Sequence, residues 1–413
     1  MRRSSWLLSF SLSVFLLSCS ATTAIVRKDE PRPQESVHLV IDLGSSGTRF
    51  CLYGVKSVPG QGCSLTPLKP ICSRVPGGLA RLTQGHRVSH VADLVDPPLQ
   101  HGWSLLGRSK LRGEVRAATA LGTGGFRDRV TGQPVERPEW QAAFTEVERF
   151  LRREAGLSSV SARPITGQEE GRLAWFGLAQ SDGMPEEFAA IEAGGATIQL
   201  AVGKKGASPA DIEVATDPQG QDVVFDRLFT SDRVLARSFQ ACYNPRHPRR
   251  QDGLKCIELL SREAFRNSAV RRLAEKTSAR RLYGLGLSYA DLFRSYPAAP
   301  PWPQKQDASM HARLSIDQIR QLTVLLCPRT DAEIRKYAPN ALAVRRELSS
   351  SGSLGPGGSG GSGAGRACYY LAYRVALLDA VRHVAAGDEL HAAEEDQWAR
   401  GAAVSGEFFP NCR

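Results

Sequence analysis

Short apolar runs separated by glycine-rich polar turns recur along the chain. Val37 to Ile41 and Thr48 to Val55 are β-rich and flank Gly44-Ser45-Ser46-Gly47, a turn with room only for a hairpin loop. Arg112 to Leu121 predicts a strand that runs into Gly122-Thr123-Gly124-Gly125-Phe126-Arg127. Ser159 to Ile165 predicts another, and Phe188 to Val202 two more around Ala193-Gly194-Gly195-Ala196-Thr197. Elsewhere the apolar period is that of a helix. Over 138–155, Pro138 suits the first turn, Trp140, Phe144, Val147, Phe150 and Leu151 share one face, and Gly156 supplies the stop. Thr166 opens a second helix with Leu173, Phe176 and Leu178 inward. Further helices are predicted over 258–274, 315–326 (Ser315 and Gln318 forming a capping box), 330–337 and 366–386, the last stopped by Gly387. Residues 56–100 are rich in Gly and Pro, and Leu94 to Leu99 reads as loop. Ser349 to Gly365, nearly all Ser and Gly, predicts a flexible loop.

One pattern occurs twice: apolar strand, acid, x-Gly, small residues with a hydroxyl, apolar strand. Aligning Asp42 with Glu192 aligns Gly44 with Gly194, 150 residues further on. A duplicated α/β fold that closes two loops on one ligand from opposite sides would produce this echo.

Composition narrows the ligand. The 413 residues suffice for two or three domains, and 42% hydrophobic with 23% charged residues is a globular balance. A net charge of +11 favours anionic ligands such as nucleotides or polyphosphate. The basic residues are scattered and never interleave with aromatics as in a nucleic-acid reader, so no nucleic-acid partner is expected. Met1-Arg2-Arg3 before the apolar run Trp6 to Leu17 has the form of a secretory signal within 1–24, followed by a polar tether over 25–36. Its end offers two readings: Leu16-Leu17-Ser18-Cys19 resembles a bacterial lipobox cleaved before Cys19, and Thr22-Thr23-Ala24 suits ordinary cleavage. The expectation is an exported protein, periplasmic, secreted or lipid-anchored, that meets a membrane only through this segment and acts as a monomer. Nine cysteines less Cys19 leave eight, an even number suited to disulfides. Proximity in sequence pairs Cys63 with Cys72 and Cys242 with Cys256.

Local physics separates two adjacent glutamates. Thr166 with Glu169 three residues on is a capping box, which gives Glu169 a structural task. Glu170 has none and stands at a helix start, where the dipole favours its ionised form. Hydrolysis of a phosphoanhydride needs donors around the phosphoryl group, a divalent cation on its oxygens and a water held by a base. The loops 44–48, 122–127 and 194–197, the acids Asp42 and Glu192, and Glu170 fill that set. No Gly-x-x-x-x-Gly-Lys-Ser/Thr occurs, which excludes a P-loop enzyme.

Asp42-Leu-Gly-Ser-Ser-Gly-Thr-Arg49, Thr123-Gly-Gly-Phe-Arg127, Ile165-Thr-Gly-Gln-Glu-Glu-Gly171, Ala193-Gly-Gly-Ala-Thr-Ile-Gln199 and Ser238-Phe…Cys242-Tyr243 resemble, in order, the apyrase conserved regions. These belong to the nucleoside triphosphate diphosphohydrolases, within the actin-like ATPase superfamily. The resemblance implies an α/β fold of two RNase H-like lobes with the active site in the interlobe cleft: lobe I over 37–165, rejoined by 387–413, and lobe II over 166–386. It implies Ca²⁺- or Mg²⁺-dependent hydrolysis of nucleoside tri- and diphosphates. It makes Glu170 the base and has Thr197 and Gln199 position the water. Gly44, Ser45, Ser46, Gly47, Thr48, Arg49, Thr123, Gly194, Gly195 and Ala196 then surround the phosphates, and Asp42 and Glu192 reach the metal through water. Arg246, Tyr289, Tyr373 and Trp398 fall where base and ribose would bind, and Cys327 with Cys368 matches a family disulfide. Two departures stand out: Glu192 replaces an aspartate, and a Pro/Arg-rich insertion follows Tyr243. The exopolyphosphatase and guanosine pentaphosphate phosphatase family, which shares the two loops and the Glu-Glu helix start, is the enzymatic alternative. A non-catalytic nucleotide- or partner-binding surface lipoprotein is the second, and a retained Glu170 argues against it.

Overall fold

The opening alternation folds as a hairpin of β1 (Gln34–Leu43) and β2 (Gly47–Val58), paired so that Asp42 faces Arg49 and Leu43 faces Thr48. Odd-numbered Val37, Leu39, Ile41 and Leu43 enter one core and Val40 the opposite one, so β1 is covered on both faces. The computed structural model describes residues 34–44, 47–58, 60, 62–128, 131–231, 238–244, 247–285, 313–329, 364–393 and 397–412. The signal, the tether up to residue 33, the helix expected over 330–337 and nearly all of the Ser/Gly loop lie outside them, while the last three tether residues open β1. Among the described residues no helix is long and apolar enough to cross a membrane.

The first sheet runs β3 (Gly62–Leu65), β2, β1, β5 (Val115–Gly122), β6 (Ser159–Pro164), with β4 (Ile71–Pro76) also on β2. The hairpin strands are antiparallel, whereas β1, β5 and β6 are parallel. The second sheet runs β11 (Arg313–Ser315), β12 (Glu389–Ala392), β10 (Leu282–Leu285), β7 (Glu187–Ala193), β8 (Ile198–Lys204), β9 (Glu213–Asp217). Its hairpin β7–β8 is likewise antiparallel, and β7, β10 and β12 are parallel. The two sheets thus repeat one arrangement, as the sequence echo requires.

Ten helices clothe the sheets among the described residues: α1 (Leu79–Thr83), α2 (Val91–Leu105), α3 (Pro138–Glu154), α4 (Gly167–Ala179), α5 (Gln221–Asp226), α6 (Gly253–Leu260), α7 (Ala269–Lys276), α8 (Ile316–Leu326), α9 (Ala364–Ala380) and α10 (Gln397–Ala403). Helix α2 corrects the loop expected at Leu94 to Leu99. Pro97 and Pro98 argued for a loop, but Val91, Val95, Leu99 and Trp103 are buried at helical spacing, and that burial outweighs the two missing donors. The helix expected over 258–274 is broken at Ser268, whose side chain caps α7. Helices α4 and α10 cross through glycines: a Cβ on Gly177 would overlap the Gln397 carbonyl, and one on Gly401 that of Leu173.

The disulfides join Cys51 to Cys72, Cys63 to Cys412, Cys242 to Cys256 and Cys327 to Cys368. The pairing of Cys63 with Cys72 is therefore corrected. The register of β2 with β4 sets Cys51 directly opposite Cys72, and Cys63 on the neighbouring strand meets the far end of the chain. Strand β12 belongs to the second sheet, after which the chain returns to the first: Ala403 carbonyl accepts from the buried His38 ring, which stacks on Phe409.

Candidate active site

The strongest local signal formed as expected. Thr166 Oγ1 accepts from the Glu169 amide at 3.1 Å, and Glu169 Oε2 accepts from the Thr166 amide at 2.7 Å. Burial works to raise the Glu169 carboxyl, but the bonds from Thr166 and the ion pair with Arg163 more than offset it and hold it low. Glu170 is thereby turned inward and is 6% exposed.

Around Glu170 stand groups from three other segments. Arg127, just beyond β5 and 4% exposed, donates from Nη1 to Glu170 Oε2 at 2.7 Å and to Thr197 Oγ1 at 3.2 Å, and from Nε to the Ile165 carbonyl at 2.8 Å. Gln199 on β8 donates to Glu170 Oε2 at 3.1 Å and to Thr197 Oγ1 at 2.8 Å. Both donors thus converge on Oε2, and no described residue bonds Oε1. The turn at 123–127 stood out in the sequence as a candidate phosphate loop, but nothing there marked Arg127 as the partner of Glu170.

At the tips of the two hairpins lie Asp42 and Glu192. Asp42 Oδ1 accepts from Thr123 Oγ1 at 3.3 Å. Burial pushes the Asp42 carboxyl up to about 6, with Arg49 opposing and the charge of Glu170 adding to the rise. Burial, then the charges of Glu170 and Asp42, push Glu192 well above the carboxylate range, and its buried Oε2 has no hydrogen-bond partner. Three mutually repelling carboxylates with an orphaned oxygen form a setting that a divalent cation would relieve. Among the described residues no three His, Cys, Asp or Glu side chains could hold one ion directly. The buried Thr48 hydroxyl is also without a partner.

Loop 194–197 is held from behind. Gly220, Gln221 and Asp222 amides donate to the Ala196, Gly194 and Gly195 carbonyls at 3.0, 3.0 and 2.9 Å. Three tyrosines of α9 hold that second segment in turn: Tyr373 on the Gln219 carbonyl, Tyr369 on the Gln221 carbonyl at 2.7 Å, Tyr370 on Asp222 Oδ1 at 3.1 Å. Tyr373 is wholly buried against Phe265, and Trp398 is packed in the core beside α4. Neither presents a ring to a ligand as a base-stacking position requires. Ser45, Ser46, Arg246 and Tyr289 lie outside the described residues.

No family model matches the sequence. The fold does match solved structures. A Ppx/GppA family member from Aquifex aeolicus is 17% identical, with a TM-score of 0.54 over 92% of this chain and 99% of that one. An exopolyphosphatase from Cytophaga hutchinsonii is 16% identical, with a TM-score of 0.54 over 89% and 96%. At such identity the likeness is one of fold: the chain shares the α/β fold of these structures, built on two sheets.

The apyrase assignment implied by the motif order is corrected here, because the matched structures are Ppx/GppA phosphatases. The physical reason lies in which motifs discriminate. The two hairpins and the Glu-Glu helix start fit the resemblance to either family and do not choose between them. Of the features that favoured apyrases, the Cys242-Tyr243 pair has structural contacts in this chain: Tyr243 packs edge-on against Phe225 and Phe229, and Cys242 closes a local loop with Cys256.

Proposed function

We propose that this chain is a phosphoanhydride hydrolase of the exopolyphosphatase type, which removes the terminal phosphate from a linear phosphate chain. The observation that carries this is the buried Glu170 carboxylate, with Oε2 fixed by Arg127 and Gln199 and Oε1 left to accept a proton. The fold shared with proteins named as exopolyphosphatase and Ppx/GppA phosphatase supports it.

In this reading the terminal phosphoryl group lies between the hairpin tips, against the amides of loop 194–197 and the hydroxyls of Thr48 and Thr123. Glu170 Oε1 accepts a proton from water as the water oxygen bonds to phosphorus and the bridging P–O bond breaks. Thr197 and Gln199, hydrogen-bonded to each other and tied to Glu170, fix the approach of that water. A divalent cation bound at Asp42 and Glu192 through water would neutralise charge on the phosphate oxygens.

The test is phosphate release from long-chain polyphosphate, tripolyphosphate and nucleoside triphosphates, with a divalent cation or with EDTA. Release from the inorganic chains is expected, abolished by EDTA and lowered on the order of 10²–10⁴-fold in Glu170→Gln. Release from nucleotides alone would overturn the proposal.

A further inference from the structure

The helix that carries Glu170 is gripped from behind by the end of the chain. Helix α10 crosses α4 backbone to backbone at Gly177 and Gly401, with no room for a side chain at either. Beyond α10 the chain turns tightly. The Ser405 hydroxyl accepts from the Glu407 amide at 3.2 Å, and the Ser405 carbonyl from the Phe408 and Phe409 amides at 3.2 and 3.1 Å. This turn sends both phenylalanines inward and leaves Glu407 at the surface. It is pinned on its far side, where the Ser57 hydroxyl donates to the Asn411 carbonyl at 2.6 Å and Cys412 is bonded to Cys63.

Glu407 reaches the first turn of α4 through a single side chain. Arg163, near the end of β6, donates from Nη2 to Glu407 Oε1, and the same nitrogen stands 2.9 Å from Glu169 Oε1. The Arg163 guanidinium also lies 5.1 Å over the Phe408 ring. Glu169 thus divides its oxygens: Oε2 closes the cap on Thr166, and Oε1 pairs with Arg163. From another direction Arg127, the partner of Glu170, donates to the Ile165 carbonyl. The connection from β6 to α4 is therefore held twice, by Arg127 from within the site and by Arg163 and Glu407 from the tail.

The side chains of Arg163, Glu169 and Glu407 are 37%, 26% and 55% exposed. Ion pairs so open to water contribute little to stability, so what these contacts can change is geometry. Geometry is what Glu170 depends on, since displacing a reacting group by about 1 Å can cost on the order of 10²-fold in rate. We propose that Arg163 and Glu407 are positioning residues for Glu170: through the Glu169 cap they fix the first turn of α4, and with it the aim of Glu170 Oε1. The proposal rests on the hydrolase reading above and adds the end of the chain to it, as a brace for the base.

Glu407→Gln and Arg163→Gln are each expected to lower kcat for phosphate release about tenfold, with KM and the melting temperature as in wild type. The double variant should lose no more than the worse single one, because both residues act through one path. Both carboxylates meet one nitrogen of Arg163, so Arg163→Lys, which supplies a point charge there, should recover most of the loss. An unchanged kcat, a rise in KM alone, additive losses in the double variant, or a fall in melting temperature that accounts for the lost activity would each overturn the proposal. Hydrogen exchange of the unliganded protein gives a readout that needs no turnover. The Glu169 and Glu170 amides, both bonded to Thr166, are expected to exchange faster in the two single variants. Unchanged exchange in both would overturn the brace whatever the turnover. Faster exchange in the variants of a chain that itself releases no phosphate would uphold the brace and sink the hydrolase reading instead.

Discussion

Arg127 carries a buried charge whose principal partner is another buried charge. Its side chain is 1% exposed and that of Glu170 is 8% exposed in their ion pair. Removing one member of such a pair strands the other, at a cost of about 3–5 kcal/mol. Arg127→Gln is therefore expected to lower the free energy of unfolding by about that much and to depress turnover with it. The double variant Arg127→Gln/Glu170→Gln should regain much of the stability and none of the activity. Denaturant titration of the three variants checks this, and additive losses in the double variant would contradict the pairing. At this scale the sequence was half legible. Thr166 and Glu169 revealed the cap, and so left Glu170 free of it, because a capping box is a relation over three residues of one chain segment. Arg127 meets Glu170 across 43 positions and Thr197 across 70, distances over which no local rule operates.

Helix α9 shows the same limit one level up. Its apolar pattern marked it as a buried helix, and that is its place. What the pattern could not show is that Tyr369, Tyr370 and Tyr373 use their hydroxyls to hold segment 219–222, which in turn holds loop 194–197. An aromatic ring in a helix reads alike whether its polar tip meets a ligand or a carbonyl. Tyr369→Phe with Tyr373→Phe keeps both rings and deletes two hydrogen bonds, each worth about 1 kcal/mol. Amides of 194–197 are expected to exchange faster by hydrogen-exchange mass spectrometry, and kcat to fall severalfold while the melting transition stays cooperative. Unaltered protection of that loop would show that the tyrosines merely pack. The helix α2 was missed for a related reason: prolines speak through local geometry, whereas the burial that overrides them is tertiary.

Across the whole molecule, Cys63 and Cys412 tie the first sheet to the end of the chain over a separation of 349 residues. Closing so long a loop restricts the unfolded chain by on the order of 5 kcal/mol in the entropic account. Cys63→Ser with Cys412→Ser is expected to lower the unfolding midpoint in denaturant markedly, and a midpoint within error of wild type would discount the tie. Neither partner could be assigned from spacing, because proximity in sequence pointed Cys63 to Cys72. The duplication, by contrast, was legible, since alternation and glycine placement write a hairpin into consecutive residues and the chain writes it twice. The sequence by itself determined the two hairpins, the capped helix and the inward glutamate, each a short-range consequence of backbone geometry. Only the tertiary structure decided which cation clamps that glutamate, which tyrosines are buttresses and which cysteines pair. Those depend on side chains brought together from distant segments by burial, which no local pattern encodes.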